Sequence, residues 1–228
     1  VLFRSDKLSK RTGAKPVTQF RDEGFLPEAM VNYLARLGWS HGDDEIFSRE
    51  QFVQWFNLDH LGKSAAQFDE AKLRWVNAQH LKAMPDDSLA PLVQAHLQDQ
   101  GITTDARLPS ICGLFKDRCD TTVALAHWAK AFYTDVHPSA DDLAKHVTDA
   151  ARPALQLLAA KLAALSDWST ANISEAIKAV LAEQGLKMPQ LAMPVRVLVM
   201  GTPQTPSVDA VLALCGKTSV LERLQKAH

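Results

Sequence analysis

Residues 7–15 hold the side chains of this chain that are best suited to bind a polyphosphate. Their sequence is KLSKRTGAK, in which three lysines and one arginine flank Ser9 and Gly13. An ammonium group is costly to bury without its own partner, so the segment predicts an exposed loop. Lysine is a compact charge on a flexible stem and can follow the charge on a phosphate chain. A solvated basic loop without function has the same pattern, and charge alone leaves both interpretations open.

Helical spacing of apolar residues dominates the remainder of the chain. Pro27 and Gly38 predict the start and end of one helix, and residues 48–51 (SREQ) predict a capping box before another. Segments 155–165 and 173–181 carry apolar stripes at helical spacing, and Gly185 predicts the end of the second of these helices. A further helix is expected to start around Asp69. These patterns predict an all-α fold.

Residues 195–200 (VRVLVM) are the one candidate β-strand. Their β-branched side chains favour a strand, but the segment is short and follows Pro194. It would have no sheet partner in an otherwise helical chain. We therefore predict a helix here.

Composition limits the classes of function. The chain has 25 Lys+Arg against 26 Asp+Glu, so its near-zero net charge argues against a protein that coats DNA but not against a local RNA-binding patch. Residues 186–228 hold five Lys or Arg against two Asp or Glu, a local excess that favours an RNA-facing patch there. The three cysteines form no CxxC pair, which is typical of a reducing, cytoplasmic setting. No apolar run approaches the about 18 residues of a membrane span. The eight histidines show no metal-binding spacing, so we predict no metal site.

Four blocks of sequence resemble one protein family in the expected order. Residues 7–11 (KLSKR) resemble the second signature of class I aminoacyl-tRNA synthetases in the form common to the glutamate enzymes. Residues 33–40 (YLARLGWS), 68–77 (FDEAKLRWVN) and 194–217 resemble later segments of bacterial-type glutamyl-tRNA synthetases. The resemblance implies the carboxyl-terminal part of a longer enzyme. The chain begins with Val1 and shows no signal-peptide pattern, which fits a piece of a longer protein.

The resemblance also implies a domain order. Residues 1–15 would be the signature loop, and 16–84 a stem-contact helical region. Residues 85–185 would form the first anticodon-binding helical bundle, and 186–228 a terminal bundle completed by preceding helices. The expected fold is therefore an all-α stem-contact region followed by two consecutive bundles.

In the family, the signature loop closes over ATP. By position, the resemblance implies that Lys10 contacts ATP while Lys7 and Ser9 support the loop. The first class I signature, of the type His-x-Gly-His, is absent from the 228 residues. We therefore expect the chain alone to bind no cofactor and to be catalytically inactive, although the parent enzyme would activate glutamate with ATP.

The resemblance implies tRNA(Glu) as the main partner of a monomeric protein, with glutamate and ATP bound through the parent enzyme. Arg196 and the turn at Thr205, Pro206 and Val208 would meet anticodon bases, and Arg118 matches a segment that approaches the first of them. Arginine suits this role because its planar fork binds base edges and stacks on bases. We expect no DNA and no membrane partner.

Structural roles for the two arginines remain open at this point. Arg196 lies between apolar residues and could cap a helix end or pair with Glu222. Arg118 could form a surface ion pair with Asp117 or Asp120.

Two other functions also remain open. One is a non-enzymatic, all-α protein-binding module in which the basic opening is incidental. The other is a synthetase paralogue that charges both glutamate and glutamine tRNAs.

Lys10→Ala in the full-length parent enzyme is expected to slow adenylate formation and to leave tRNA affinity nearly intact. The reason is that the lysine would stabilise charge on the triphosphate and would not touch the tRNA. Pre-steady-state adenylate formation and tRNA binding, measured on the same variant, separate the two effects. Loss of tRNA binding would mean that the loop has another role.

Overall fold

The computed structural model describes residues 15–62 and 67–226. Helices account for the regular structure throughout these ranges, apart from one isolated bridge between Trp39 and Leu61. The predicted all-α fold is confirmed. Its described residues fall into two compact units.

The first unit extends to Gly101 and also includes Phe115–Trp128. Its helices are α1 (Val17–Asp22), α2 (Pro27–Arg36), α3 (Arg49–Trp55), α4 (Glu70–Ala83) and α5 (Asp86–Gln98). A short 3-10 helix at Lys116–Arg118 packs against α4. Two more helices, α6 (Leu108–Phe115) and α7 (Thr122–Lys130), each contribute residues to both units.

The second unit consists of Ile102–Leu114 and the residues from Ala129 onward. Its remaining helices are α8 (Ala140–His146), α9 (Arg152–Ala163), α10 (Thr170–Gln184), α11 (Met188–Met200), α12 (Val208–Cys215) and α13 (Lys217–Gln225). Helices α9, α10, α12 and α13 pack on one another, and α8 packs on α11. The boundaries predicted for the stem-contact region, at residue 84, and for the first anticodon-binding bundle, at residue 185, stay a prediction.

Local sequence fixes the helix ends as predicted. Ser48 Oγ accepts the Gln51 N–H at 3.1 Å while Gln51 Oε1 accepts the Ser48 N–H at 2.8 Å, which completes the capping box. Asp69 caps α4 by accepting from two backbone N–H groups of the first turn. Gly185 ends α10 in the left-handed conformation, at φ +63°.

A buried asparagine joins three segments of the first unit. Asn77 of α4 has no exposed surface, and its Oδ1 accepts the Leu26 N–H at 2.8 Å. Its Nδ2 donates to the carbonyl oxygens of Gly24 and Asp120. One side chain thus ties the start of α2 and the segment before α7 to the centre of α4.

Gly24 makes this junction possible because two chain segments approach closely there. Its carbonyl oxygen also accepts the Thr122 N–H at 3.0 Å. A Cβ at this position would lie 2.6 Å from the Val123 nitrogen, and φ is +89°. Only glycine fits both the contact and the backbone conformation without strain.

Helix α11 forms the centre of the second unit. Eight of its 13 residues are buried, including Val195, Val197 and Val199 of the candidate strand. The helical prediction for 195–200 is confirmed. Burial on several sides offsets the modest helix propensity of valine, because tertiary packing outweighs local preference.

Asn77→Ala is expected to destabilise the first unit by about 2–3 kcal/mol, because it leaves buried backbone groups without partners. Urea unfolding followed by tryptophan fluorescence measures this, since Trp39, Trp55, Trp75 and Trp128 all belong to the first unit. Gln98→Ala, at an exposed position of α5, is the control and should change little. An Asn77→Ala midpoint equal to that control would contradict the assignment.

Candidate functional site

Arg196 and the turn at residues 205–206 meet in the second unit. Arg196 Nη2 donates to the carbonyl oxygen of Pro206 at 3.3 Å, and Thr205 Oγ1 donates to the same oxygen at 2.9 Å. Arg196 is half-buried on α11, whereas the turn lies between α11 and α12. Two positions that the sequence predicted separately thus share one acceptor.

The chain reversal after α11 places this turn. Gly201 follows the last residue of the helix at φ +75°, and its N–H donates to the carbonyl of Val197 at 2.9 Å. A left-handed residue at this position ends the helix and turns the chain back. The turn can therefore return beside Arg196 within ten residues.

The individual turn residues differ in what they present to solvent. Thr205 is 5% exposed and Val208 is 7% exposed, while Pro206 is half-buried and Ser207 is exposed. Val208 is the first residue of α12. Its side chain therefore belongs to the core. The first N–H groups of a helix have no acceptor within the helix.

Arg118 lies in the first unit, in the 3-10 helix at Lys116–Arg118, and is exposed. Its guanidinium forms no ion pair with any residue in the described ranges. The Asp120 carboxylate, one of its predicted partners, instead accepts from Arg74 Nη1 at 3.4 Å. Arg118 and Arg196 belong to different units.

The signature-loop residues Lys7, Ser9 and Lys10 lie outside the described residues. Lys15, the last basic residue of that stretch, is the first that the structure describes. Its Nζ pairs with Glu70 at 3.0 Å and with Glu23 at 3.1 Å. Hydrogen bonds to Glu70 and Glu23 raise the pKa of Lys15 and lower the pKa of both carboxyls. Lys15 is therefore engaged in two ion pairs within the first unit.

The five basic residues between 186 and 226 do not form one solvent-facing patch. Arg223 is 8% exposed and donates to the carbonyls of Val199 and Thr134 at 2.6 and 3.1 Å. Lys217 Nζ donates to the Leu165 carbonyl at 2.6 Å. These two cations hold backbone together, so the local excess of positive charge overstated the surface available to RNA.

Sequence reasoning missed a surface cavity of about 320 Å³ in the second unit. It lies between the end of α8, the turn that follows and the start of α11. Lys145, His146 and Gln190 border it. The sequence signal was weak, since a Lys-His pair at the end of a short helix is ordinary helix-capping chemistry.

The described residues offer little else that could do chemistry. No group of three or more His, Cys, Asp or Glu side chains within them is placed to hold a metal ion. No helix among residues 15–62 and 67–226 is both long and apolar enough to cross a membrane. Trp39 is buried, and Trp128 stacks on Phe115 at a centroid distance of 5.2 Å.

The cysteines are unsuited to nucleophilic chemistry. Cys112, Cys119 and Cys215 are all buried and form no disulfide. Burial raises the pKa of Cys119 to about 12 and that of Cys215 to about 11. Both thiols therefore stay protonated near neutral pH, and the thiolate is the reactive species.

Two family models match the chain. The model described as "Anticodon binding domain" matches residues 88–228. The model described as "tRNA synthetases class I (E and Q), catalytic domain" matches residues 2–75. The second match includes much of the segment predicted to be the stem-contact region, so part of that catalytic-domain family's sequence is present here.

Curated relatives match nearly the whole chain. The glutamate–tRNA ligase of Albidiferax ferrireducens is 69% identical over 222 residues, which cover 97% of this chain and 48% of the relative. The glutamate–tRNA ligase of Paracidovorax citrulli is 66% identical over 228 residues, which cover 98% of this chain and 48% of the relative. The chain therefore spans about half the length of the curated relatives it matches.

Solved structures agree with these matches. A glutamate tRNA ligase from Elizabethkingia meningosepticum, crystallised in complex with its amino acid, superposes with a TM-score of 0.87 at 26% identity. The match covers 99% of this chain and 49% of that structure's chain. The glutamate-tRNA synthetase of Elizabethkingia anophelis gives a TM-score of 0.83 at 28% identity, with 97% of this chain and 48% of that one covered. The resemblance predicted from the sequence is confirmed.

The native chain is expected to react slowly with a thiol reagent such as 5,5′-dithiobis(2-nitrobenzoate) at pH 8, because all three thiols are buried and burial raises the pKa of Cys119 and Cys215. The same chain in denaturant should release colour from three thiols. Ala144→Cys, at an exposed position of α8, supplies a fast-reacting positive control. A fast phase in the unsubstituted native chain would show that at least one thiol is accessible.

Proposed function

Because the chain belongs to the anticodon-binding domain family, we propose that it is the tRNA-recognising part of a glutamate–tRNA ligase. The observation that carries the proposal is the meeting of Arg196 and Thr205 at the carbonyl of Pro206. These residues matched the family's anticodon-reading positions by sequence alone. Their shared contact holds the guanidinium of Arg196 beside the turn, and a base-reading site needs such neighbouring groups.

Arg196 is suited to read a base. Its guanidinium is a planar, permanently charged group that donates to base edges and stacks on base faces. The bond to Pro206 holds this long side chain near one orientation before RNA binds. Pre-ordering lowers the side-chain entropy that binding costs, which strengthens a selective contact.

The neighbouring turn supplies a second, rigid contact. The Thr205 hydroxyl is buried and donates to the carbonyl of Pro206, while the proline ring fixes its own φ. The backbone at Ser207 and Val208 begins α12, where N–H groups point out of the helix end. We propose that a neighbouring anticodon base meets this backbone, and that exposed Arg118 of the first unit approaches another.

The remaining parts of the proposal concern the longer enzyme. It would activate glutamate with ATP and transfer it to tRNA(Glu), with Lys10 contacting ATP and with Lys7 and Ser9 supporting the loop. The chain by itself would be inactive, because it lacks a His-x-Gly-His motif. We propose a monomer that acts in the cytoplasm; three buried cysteines that form no disulfide are typical of a reducing compartment.

Arg196→Ala is expected to weaken binding of the chain to tRNA(Glu) by about 1–3 kcal/mol, since a bidentate or stacked base contact is lost. The affinity is measured against tRNA(Glu), the same tRNA with one anticodon base changed, and tRNA(Gln), each at two salt concentrations. Arg196→Lys should keep the salt dependence and lose the discrimination, because lysine retains the charge but not the planar fork.

Lys161→Ala is the matched control. It removes one positive charge from the second unit, at a lysine that pairs with Glu183 at 2.9 Å, and it should leave discrimination unchanged. An unchanged affinity in folded Arg196→Ala would remove that residue from the site. Weak binding without salt dependence would favour the protein-binding module, and equal binding of glutamate and glutamine tRNAs would favour the paralogue with both specificities.

A further inference from the structure

The cavity beside α11 has the features of a small binding pocket. Its volume of about 320 Å³ falls at the lower end of the ~300–1,000 Å³ range of ligand sites. Pro189, Met193 and Pro194 form apolar walls, and Lys145 and His146 stand at the rim. None of the described residues that line it is acidic. A negatively charged, partly apolar ligand would therefore be favoured.

The cavity adjoins the site built around Arg196. Met193 and Arg196 are three positions apart on α11, so their side chains share one face of the helix, about 4.5 Å apart along its axis. The cavity therefore lies on the same side of α11 as Arg196. The two sites can hold neighbouring nucleotides.

Hydrogen-bonding groups at the cavity are already oriented. Gln190 Oε1 accepts the Lys187 N–H at 2.8 Å, which fixes the side-chain amide and leaves its NH₂ end as the donor. Pro194 has no N–H to donate to the carbonyl of Gln190, its acceptor four residues earlier in an α-helix. The cavity is thus bordered by one fixed donor, the Gln190 amide, and by one backbone acceptor that lacks its usual helical partner.

We propose that this cavity binds one unstacked base from the anticodon loop, next to the base that Arg196 reads. The inference rests on the proposed function and adds a binding site to it. Proline and methionine side chains enclose the faces of the base, Gln190 meets its edge, and Lys145 lies toward the adjoining phosphate. Single-stranded RNA is bound in this way, by enclosing splayed bases and contacting their edges.

Ala150→Leu tests the proposal by filling the cavity. Ala150 lines the cavity but is exposed in the turn before α9, so a larger side chain need not disturb the core. Ala144→Leu makes the same change at an exposed position of α8 outside the cavity. Lys145→Ala is a second variant, which removes a rim charge without adding volume. Thermal unfolding confirms that each variant is folded.

Each variant is titrated with intact tRNA(Glu) and with a set of modified tRNA(Glu) molecules. Each member of the set carries one abasic nucleotide, at a different position of the anticodon loop. We expect one abasic position to weaken binding to the unsubstituted chain about fivefold or more, by loss of the enclosed base. Ala150→Leu should weaken binding of the intact tRNA similarly and should abolish the effect of that abasic position. Such non-additivity identifies a direct contact. Lys145→Ala should reduce the dependence of affinity on salt.

The outcomes separate this inference from the proposed function. If Arg196→Ala weakens binding but Ala150→Leu behaves like Ala144→Leu, the cavity does not hold a base and only this inference is overturned. The same conclusion follows if the abasic effect survives in Ala150→Leu. If the unsubstituted chain binds tRNA(Glu) without discriminating the anticodon, both proposals are overturned.

Discussion

Burial of helix α11 is the constraint on which the second unit depends. Eight of its 13 residues are removed from solvent, so its rotation and position are fixed by packing against several other helices. Arg196 and Met193 occupy the part of the helix that stays accessible. A functional group on a helix held in this way is positioned more precisely than one on a loop. The reading site and the neighbouring cavity both follow from that placement.

Polar interactions have the equivalent role in the first unit. Asn77 satisfies backbone groups from two distant segments, and Gly24 permits the close approach that brings them together. Buried backbone groups must be paired, and here one amide side chain pairs three of them. Buried Arg223 does the same in the second unit with two carbonyls. Residues that resemble functional groups in the sequence can therefore be structural in the fold.

The comparison of sequence with structure shows which signals were reliable. Helix ends at Ser48, Asp69 and Gly185 were readable because capping involves side chains within three or four residues of the backbone groups they satisfy. The valines of residues 195–200 favour a strand. The helix there was predicted correctly only because a strand would have had no sheet partner in a helical chain. Charge counting was less reliable, because it could not tell that Arg223 is buried and Lys217 is engaged with Leu165.

By itself, the sequence determined the helical class, several helix ends and the family, because these depend on short-range spacing and on ordered motifs. It also singled out Arg196 and Thr205 as candidates, but it did not bring them together. Only the tertiary structure decided that both donate to the carbonyl of Pro206, that Val208 faces the core and that a cavity opens beside Met193. Those outcomes depend on how α8, α11 and α12 pack, and packing joins residues whose separation along the chain carries no local signal.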